Sequence, residues 1–213
     1  MKSFDAFLAE SAEHPGGVNL VFEAGMYSLS NDLEQIVKAL RIAGVNFEII
    51  GGVAVNAHIF LKHRSRSFVT RDIDVLIHRS DLQRAATAAE PLGYQAKKMM
   101  GGYTLIRGGH QLAESVHLFF VGEKSKSTQP IPHPDLHPEE KDFLGIAVPV
   151  APLRDLLQMK LSSFRPKDLV HLEILDEAGL ITPALEGELP PQLRERLQEA
   201  RRLIAEDKPD IEG

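Results

Sequence analysis

Asp72 and Asp74 are the residues of this sequence best suited to chemistry. They lie in Thr70-Arg71-Asp72-Ile73-Asp74-Val75-Leu76-Ile77, where Arg71, Ile73, Val75 and Ile77 alternate with the acids. A period of two marks a strand and sends both carboxylates to one face. Two residues along a strand span roughly 6–7 Å between Cα atoms. From that separation the side chains can converge on one divalent ion, or on two ions about 3.5–4 Å apart. Two like charges on one face of a β-branched strand repel, and burial would raise their pKa values unless a cation neutralised them. The pair therefore either emerges into water or holds something.

Upstream, Asn46-Phe47-Glu48-Ile49-Ile50 reads as a short strand running into Gly51-Gly52, and Val53 to Leu61 has helix-compatible composition. Glycines at such a junction let the backbone approach a ligand closely, and the amides at the start of a helix favour an anion such as phosphate. A tight turn without a ligand is the alternative. Lys62-His63-Arg64-Ser65-Arg66 follows, which with Arg71 makes four formal cations and no acid before Asp72. Cations for phosphates beside carboxylates for a metal are what a metal-bound triphosphate needs in one site.

Taken together, the strand, the Gly-Gly turn, the helix and the Asp-x-Asp strand resemble the signature of the polymerase-β-like nucleotidyltransferase superfamily. Gly51, Gly52, Asp72 and Asp74 carry the resemblance, with nineteen residues between Gly52 and Asp72. The run Arg66-Ser67-Phe68-Val69-Thr70-Arg71-Asp72-Ile73-Asp74 looks most like the branch that includes abortive-infection toxins and small bacterial relatives. The resemblance implies an α/β (α+β) fold with a mixed β-sheet core, flanking helices and a C-terminal helical subdomain. It implies Mg²⁺ held by Asp72 and Asp74, with a two-metal site as an option, an NTP as donor, and an acceptor hydroxyl on RNA or protein. It makes Gly51, Gly52, Arg66, Thr70 and Arg71 nucleotide-binding residues, and for the toxin-like branch it implies a cognate antitoxin or other protein partner.

Members of this superfamily usually carry a third carboxylate on a later strand, where Val116-His117-Leu118 stands here. Three options follow: His117 ligates the metal or contacts a phosphate, Glu114 supplies the acid, or the metal centre is incomplete. A His that is merely packed and hydrogen-bonded is the plain alternative. Lys160 followed by Arg165-Pro166-Lys167-Asp168-Leu169 also resembles a segment of the same branch. By that likeness Lys160 and Lys167 hold the triphosphate; the plain alternative is that Lys160 snorkels from a helix face and Arg165-Lys167 is a polar corner. Asp168 is expected to cap or orient a neighbour rather than act in chemistry. The rival function is a catalytically weak relative that binds a nucleotide or a protein partner.

The elements that must position these residues are legible as patterns. With 213 residues, 43% apolar and 25% charged, the chain can bury a sizeable core. Its lack of cysteine excludes disulfides and thiolate metal sites. A formal charge of −6 argues against a surface-wide nucleic-acid binder and leaves local patches open. Met1-Lys2-Ser3-Phe4-Asp5 opens no sustained apolar run, and the apolar stretches Ile49–Leu61 and Phe143–Leu157 are broken by polar residues or prolines. Neither a signal peptide nor a membrane span is expected, which suits a cytoplasmic protein.

The expected division is a peripheral arm at 1–30, with a short helix Phe4 to Ala12, a nucleotidyltransferase-like core at 31–150 and helices at 151–213. Asn31 reads as a helix cap with Glu34 in capping-box position, and Leu33, Ile36, Val37 and Leu40 form one face before Gly44. Ser80 to Leu92 reads as a Ser-capped helix ending before Gly93. Tyr94–Lys98 and Tyr103–Arg107 read as a hairpin around Gly101-Gly102. Glu114 to Val121 is a strand with Val116, Leu118 and Phe120 on one side. Residues 122–142, with His133, Asp135 and His137 at alternate positions, read as an exposed loop with little order of its own, and Ile146-Ala147-Val148 as a last strand. Helices begin at Pro152 and Pro166, and Leu193, Leu197, Ala200 and Ile204 mark a third.

Overall fold

The structure, a computed structural model, describes residues 20–60 (the backbone alone for 20–27), 68, 70–99, 101–108 and 115–207. Its centre is a mixed seven-stranded sheet in the order β3-β4-β5-β2-β1-β7-β6. The strands are β1 (Phe47–Ile50), β2 (Ile73–Ile77), β3 (Tyr94–Met99), β4 (Gly102–Arg107), β5 (Val116–Phe120), β6 (Glu139–Phe143) and β7 (Ile146–Val150). β1 runs antiparallel to β2 and parallel to β7, while β2 and β5 are parallel. Helices α1 (Leu20–Ile42), α2 (Gly51–Phe60) and α3 (Leu82–Ala89) flank the sheet. The C-terminal part is α4 (Leu153–Ser163), α5 (Pro166–Glu177), α6 (Pro183–Glu188) and α7 (Pro191–Asp207).

Alternation divides the central strands between two faces. Phe47, Ile49, Ile73, Val75, Ile77, Val116, Leu118 and Phe120 enter the main core, which also takes Leu33, Ile36, Val37 and Leu40 from α1 and Leu156, Leu157 and Leu161 from α4. Each such Leu or Ile, buried completely, contributes on the order of 1.5–3 kcal/mol. The intervening residues face the other way, where Ile50, Leu76 and Ala151 form a small second core under Phe119, Leu136 and Met159. Asp74 and His117 belong to this second face. The α/β expectation with C-terminal helices holds, and so does the hairpin, whose Gly101 takes a φ of +87°.

Three local expectations do not hold. Asn31 caps nothing, and Glu34 completes no capping box: α1 begins at Leu20, because the apolar stripe continues back through buried Leu29. Ser80 lies inside a 3₁₀ turn, Arg79–Asp81, and Asp81 stands ahead of α3 without a side-chain cap. The segment after β5 is not a loosely ordered loop. His133 is buried, its Nδ1 sits 3.1 Å from the Phe120 carbonyl, and its backbone bonds Gly122 and Glu123. Residues 139–143 then pair with β7 as an edge strand, a place where Glu139, Glu140 and Asp142 stay in water. Helix α6, capped by Thr182, has no counterpart in the sequence reading. The proposed helix Phe4–Ala12 lies outside the described residues.

Candidate functional site

Strand register builds the site. β1 places Ile50 opposite Asp74, so Gly51, the next residue and the first of α2, comes down beside that acid. β5 places His117 opposite Asp74 on the other side. Gly51 adopts φ +68°, and a Cβ there would overlap the Asp74 carboxylate. At Gly52 a Cβ would stand 2.8 Å from Thr70 Oγ1. Both glycines are therefore required by close approach, one to the acid and one to the segment leading into it. Gly51 and His117 meet at Asp74, Gly52 meets Thr70, and Asp72 lies within electrostatic reach of Asp74 and His117.

The two acids differ in surroundings. Asp74, with its side chain 14% exposed, has Oδ1 3.0 Å from His117 Nδ1. His117 Nε2 lies 2.9 Å from Ser115 Oγ. Burial pushes the Asp74 carboxyl up, but the His117 hydrogen bond and charge, with Lys160 and Lys167 nearby, bring it below the usual carboxylate range. The Asp74 hydrogen bond in turn raises the His117 pKa against the effect of burial. Asp72 stands just ahead of β2 and keeps one oxygen, Oδ1, buried without a hydrogen-bond partner. Burial raises its pKa, helped by Asp74 and opposed by His117 and Lys167.

The cations fall into two kinds. Lys160 is 4% exposed and donates from Nζ to Asp168 Oδ1 at 3.0 Å, with its pKa lowered by burial. Asp168 also accepts from Arg165 Nε at 2.9 Å and from the Arg165 amide at 3.1 Å, closing a capping box at the start of α5. Asp168 thus orients neighbours, as the sequence led one to expect. Lys167, in the first turn of α5, is exposed, and its charge reaches Asp72, Asp74 and His117. Arg71 is exposed beside Asp72. Arg66 and Glu114 lie outside the described residues.

Sequence reasoning missed Ser115, Asn56 and the Phe68–His171 pair. Ser115 was findable, because it precedes His117 by one strand period. Buried Asn56 bonds the Phe68 carbonyl and amide at 2.8 and 3.2 Å, and Phe68 stacks on His171 with ring centroids 4.7 Å apart. These contacts fix the approach to Thr70 and depend on a tertiary fold that no local pattern encodes.

Mg²⁺ suits the acids. It prefers hard oxygens and is commonly held by one or two carboxylates, with substrate phosphates and water completing its shell. Asp72 Oδ1 supplies such an unpaired oxygen. Among the described residues no group of three or more His, Asp or Glu is arranged to hold a metal by itself.

No family model and no curated protein matches the sequence. Solved structures of nucleotidyltransferases do resemble the chain in fold. ANT(2'')-Ia in complex with adenylyl-2''-tobramycin is 16% identical, with 84% of this chain and 91% of that one covered at a TM-score of 0.47. An antigenic nucleotidyltransferase-like protein from Paracoccidioides brasiliensis is 17% identical, with 86% and 89% covered at 0.48. A tRNA nucleotidyltransferase complexed with a primer tRNA and an incoming ATP analogue is 15% identical, with 79% and 50% covered at 0.37.

Proposed function

We propose that the chain is a Mg²⁺-dependent nucleotidyltransferase that moves a nucleoside monophosphate from an NTP to a hydroxyl of an RNA or protein acceptor. The observation that carries this reading is the packing at Asp74: Gly51, which admits no side chain, lies against its carboxylate, and Asp72, two residues earlier, keeps a buried oxygen without a hydrogen-bond partner. Asp72 and Asp74 hold the Mg²⁺, which supplies charge neutralisation at the phosphates. Gly51 and Gly52 let the backbone come close to the nucleotide. Lys167 and Arg71, both exposed, face its phosphates, and Thr70 and Arg66 are further nucleotide-binding residues. Lys160 acts from beneath, as a fixed charge tied to Asp168 rather than a mobile phosphate ligand. The acceptor oxygen bonds to the α-phosphorus, the bond to the bridging oxygen breaks, pyrophosphate leaves, and the acceptor proton passes to solvent. An NTP donor fits a cytoplasmic setting, and among the described residues no helix is long and apolar enough to cross a membrane.

The test uses α-labelled NTPs with Mg²⁺ and RNA or protein acceptors. Transfer by the wild type and none by the Asp72→Asn/Asp74→Asn variant is expected. Transfer that survives this double substitution refutes the assignment.

A second reading is favoured by one observation. His117 is hydrogen-bonded to Asp74 in the strand where the superfamily carries an acid. The chain would then be a weak or inactive relative that binds a nucleotide or a protein partner, such as one half of a toxin–antitoxin pair. Thermal stabilisation by an NTP with Mg²⁺, together with no product on any acceptor, selects this reading.

A further inference from the structure

We propose that this site takes one divalent cation, not two, because the His117 imidazole occupies the side of Asp74 that a second ion would need. The inference rests on the nucleotidyltransferase reading above and concerns the number of ions at its centre.

Two ions about 3.5–4 Å apart share a bridging carboxylate that turns one oxygen to each of them. Asp74 is the acid in position to bridge, since it sits at the centre of the site with Gly51 and His117 on either side. Its Oδ1 is taken by His117 Nδ1 at 3.0 Å. A carboxylate oxygen accepts, so Nδ1 carries the hydrogen and cannot also ligate a metal. The other ring nitrogen is held 2.9 Å from Ser115 Oγ. His117 is thus fixed at both ends, and it comes from the residue paired with Asp74 across the two parallel strands. Rotating it away would break both contacts.

What remains for a cation is Asp74 Oδ2, on the Gly51 side, and the partnerless buried Oδ1 of Asp72. Those two oxygens suit one ion that arrives with the nucleotide. Charge points the same way. Asp168 is already paired with Lys160 and Arg165. Lys160 and Lys167 bring positive charge to Asp74, and Lys167 to Asp72 as well, which reduces the need for a second ion and adds repulsion against it.

The test counts Mn²⁺ bound per chain, by electron spin resonance titration, in the presence of an equimolar mixture of the four α,β-methylene NTP analogues. One ion is expected for the wild type and for His117→Asn, whose amide keeps a donor towards Asp74. Two ions are expected for His117→Asp, which restores a carboxylate in that place. Two ions on the wild type overturn the inference while leaving the nucleotidyltransferase reading intact. One ion on a folded His117→Asp, checked by circular dichroism, also overturns it. If that variant does not fold, the wild-type and His117→Asn counts decide. No nucleotide-dependent Mn²⁺ on any variant overturns the functional reading itself.

Discussion

Gly51 and Asp74 compete for one space: the glycine Cα lies where any added Cβ would run into the Asp74 carboxylate. Gly44 offers a control, since its φ of +64° nearly equals the +68° of Gly51 but nothing stands within 4 Å of its missing Cβ. An L-residue in this left-handed region costs about 1–2 kcal/mol. Gly44→Ala should lose about that much in urea denaturation, and Gly51→Ala clearly more, because the acid must also move. Gly51→Ala should further abolish thermal stabilisation by NTP with Mg²⁺. Equal losses of stability for the two variants would show that the carboxylate does not occupy this place.

The Lys160–Asp168 pair makes a different kind of contribution. Both side chains are almost wholly buried, and Asp168 also holds Arg165, so its carboxyl titrates well below the usual range against the effect of burial. Removing one partner of a buried pair leaves an uncompensated charge and costs about 3–5 kcal/mol. Asp168→Ala strands Lys160 and should fall in that range. Lys160→Met should cost less, because Asp168 keeps the Arg165 guanidinium and amide. The double variant Lys160→Met/Asp168→Asn should be more stable than Asp168→Ala alone. Chemical denaturation of the three variants gives the order, and a Lys160→Met loss as large as that of Asp168→Ala would contradict it.

How much of this was legible beforehand follows from the range of each interaction. The period of two is local, and from Ile73 to Ile77 it is the alternation of the strand itself, with Ile73, Val75 and Ile77 in the main core and Asp74 on the other face. Gly51-Gly52 was legible as a bend, but its purpose was not, since the clash with Asp74 depends on the β1–β2 register. His117 was visible as an anomaly in an apolar strand. Its partnership with Asp74 needs β5 to lie parallel beside β2, forty-three residues away in sequence. The burial of Lys160 was not legible, because the sequence shows its helix and not the contact with Asp168 that buries it. The segment after β5 misleads for a similar reason: its prolines and charges suggest a free loop, while His133 anchors it through the Phe120 carbonyl.

Glu48 supplies a pH dependence away from the Asp74 site. It is fully buried, opposite Leu76 on the second face, with Oε2 accepting the His137 amide at 3.0 Å and Oε1 unpartnered. Burial pushes its pKa to about 7, partly offset by the His137 amide. The sign follows from proton counting. Between its ordinary value near 4.5 and about 7 the folded chain holds a proton that the unfolded chain has released. Its contribution to stability therefore falls as pH rises through that window, by on the order of 3 kcal/mol. Glu48→Gln keeps an acceptor for the His137 amide and removes the titration. The variant's stability relative to wild type should rise steadily from pH 4.5 to 7.5 in urea denaturation series. A difference that stays constant across that range would show that Glu48 is ionised in the folded chain at all these values.

Asn56 tests whether the approach to the acids is held in place from α2. Its amide donates to the Phe68 carbonyl and its oxygen accepts the Phe68 amide, in a position with no exposure to solvent. Phe68 in turn packs its ring on His171, a residue that burial keeps neutral with a pKa of about 3. Thr70 and Asp72 follow directly. Asn56→Ala leaves both Phe68 groups unpaired and should cost about 2–3 kcal/mol, since each orphaned buried polar group costs about 1–3. It should also weaken NTP binding by loosening Asp72 relative to Gly51. Asn56→Asp separates the two bonds. A carboxylate still accepts from the Phe68 amide but faces the Phe68 carbonyl with a like partial charge, whereas the protonated acid can donate to it. Burial raises the pKa of such an Asp in the folded chain, so the variant's deficit against wild type should shrink as pH falls from 7 towards 4.5. A deficit that does not change with pH would mean that position 56 reaches water and that the Phe68 segment is not tied to α2 through it.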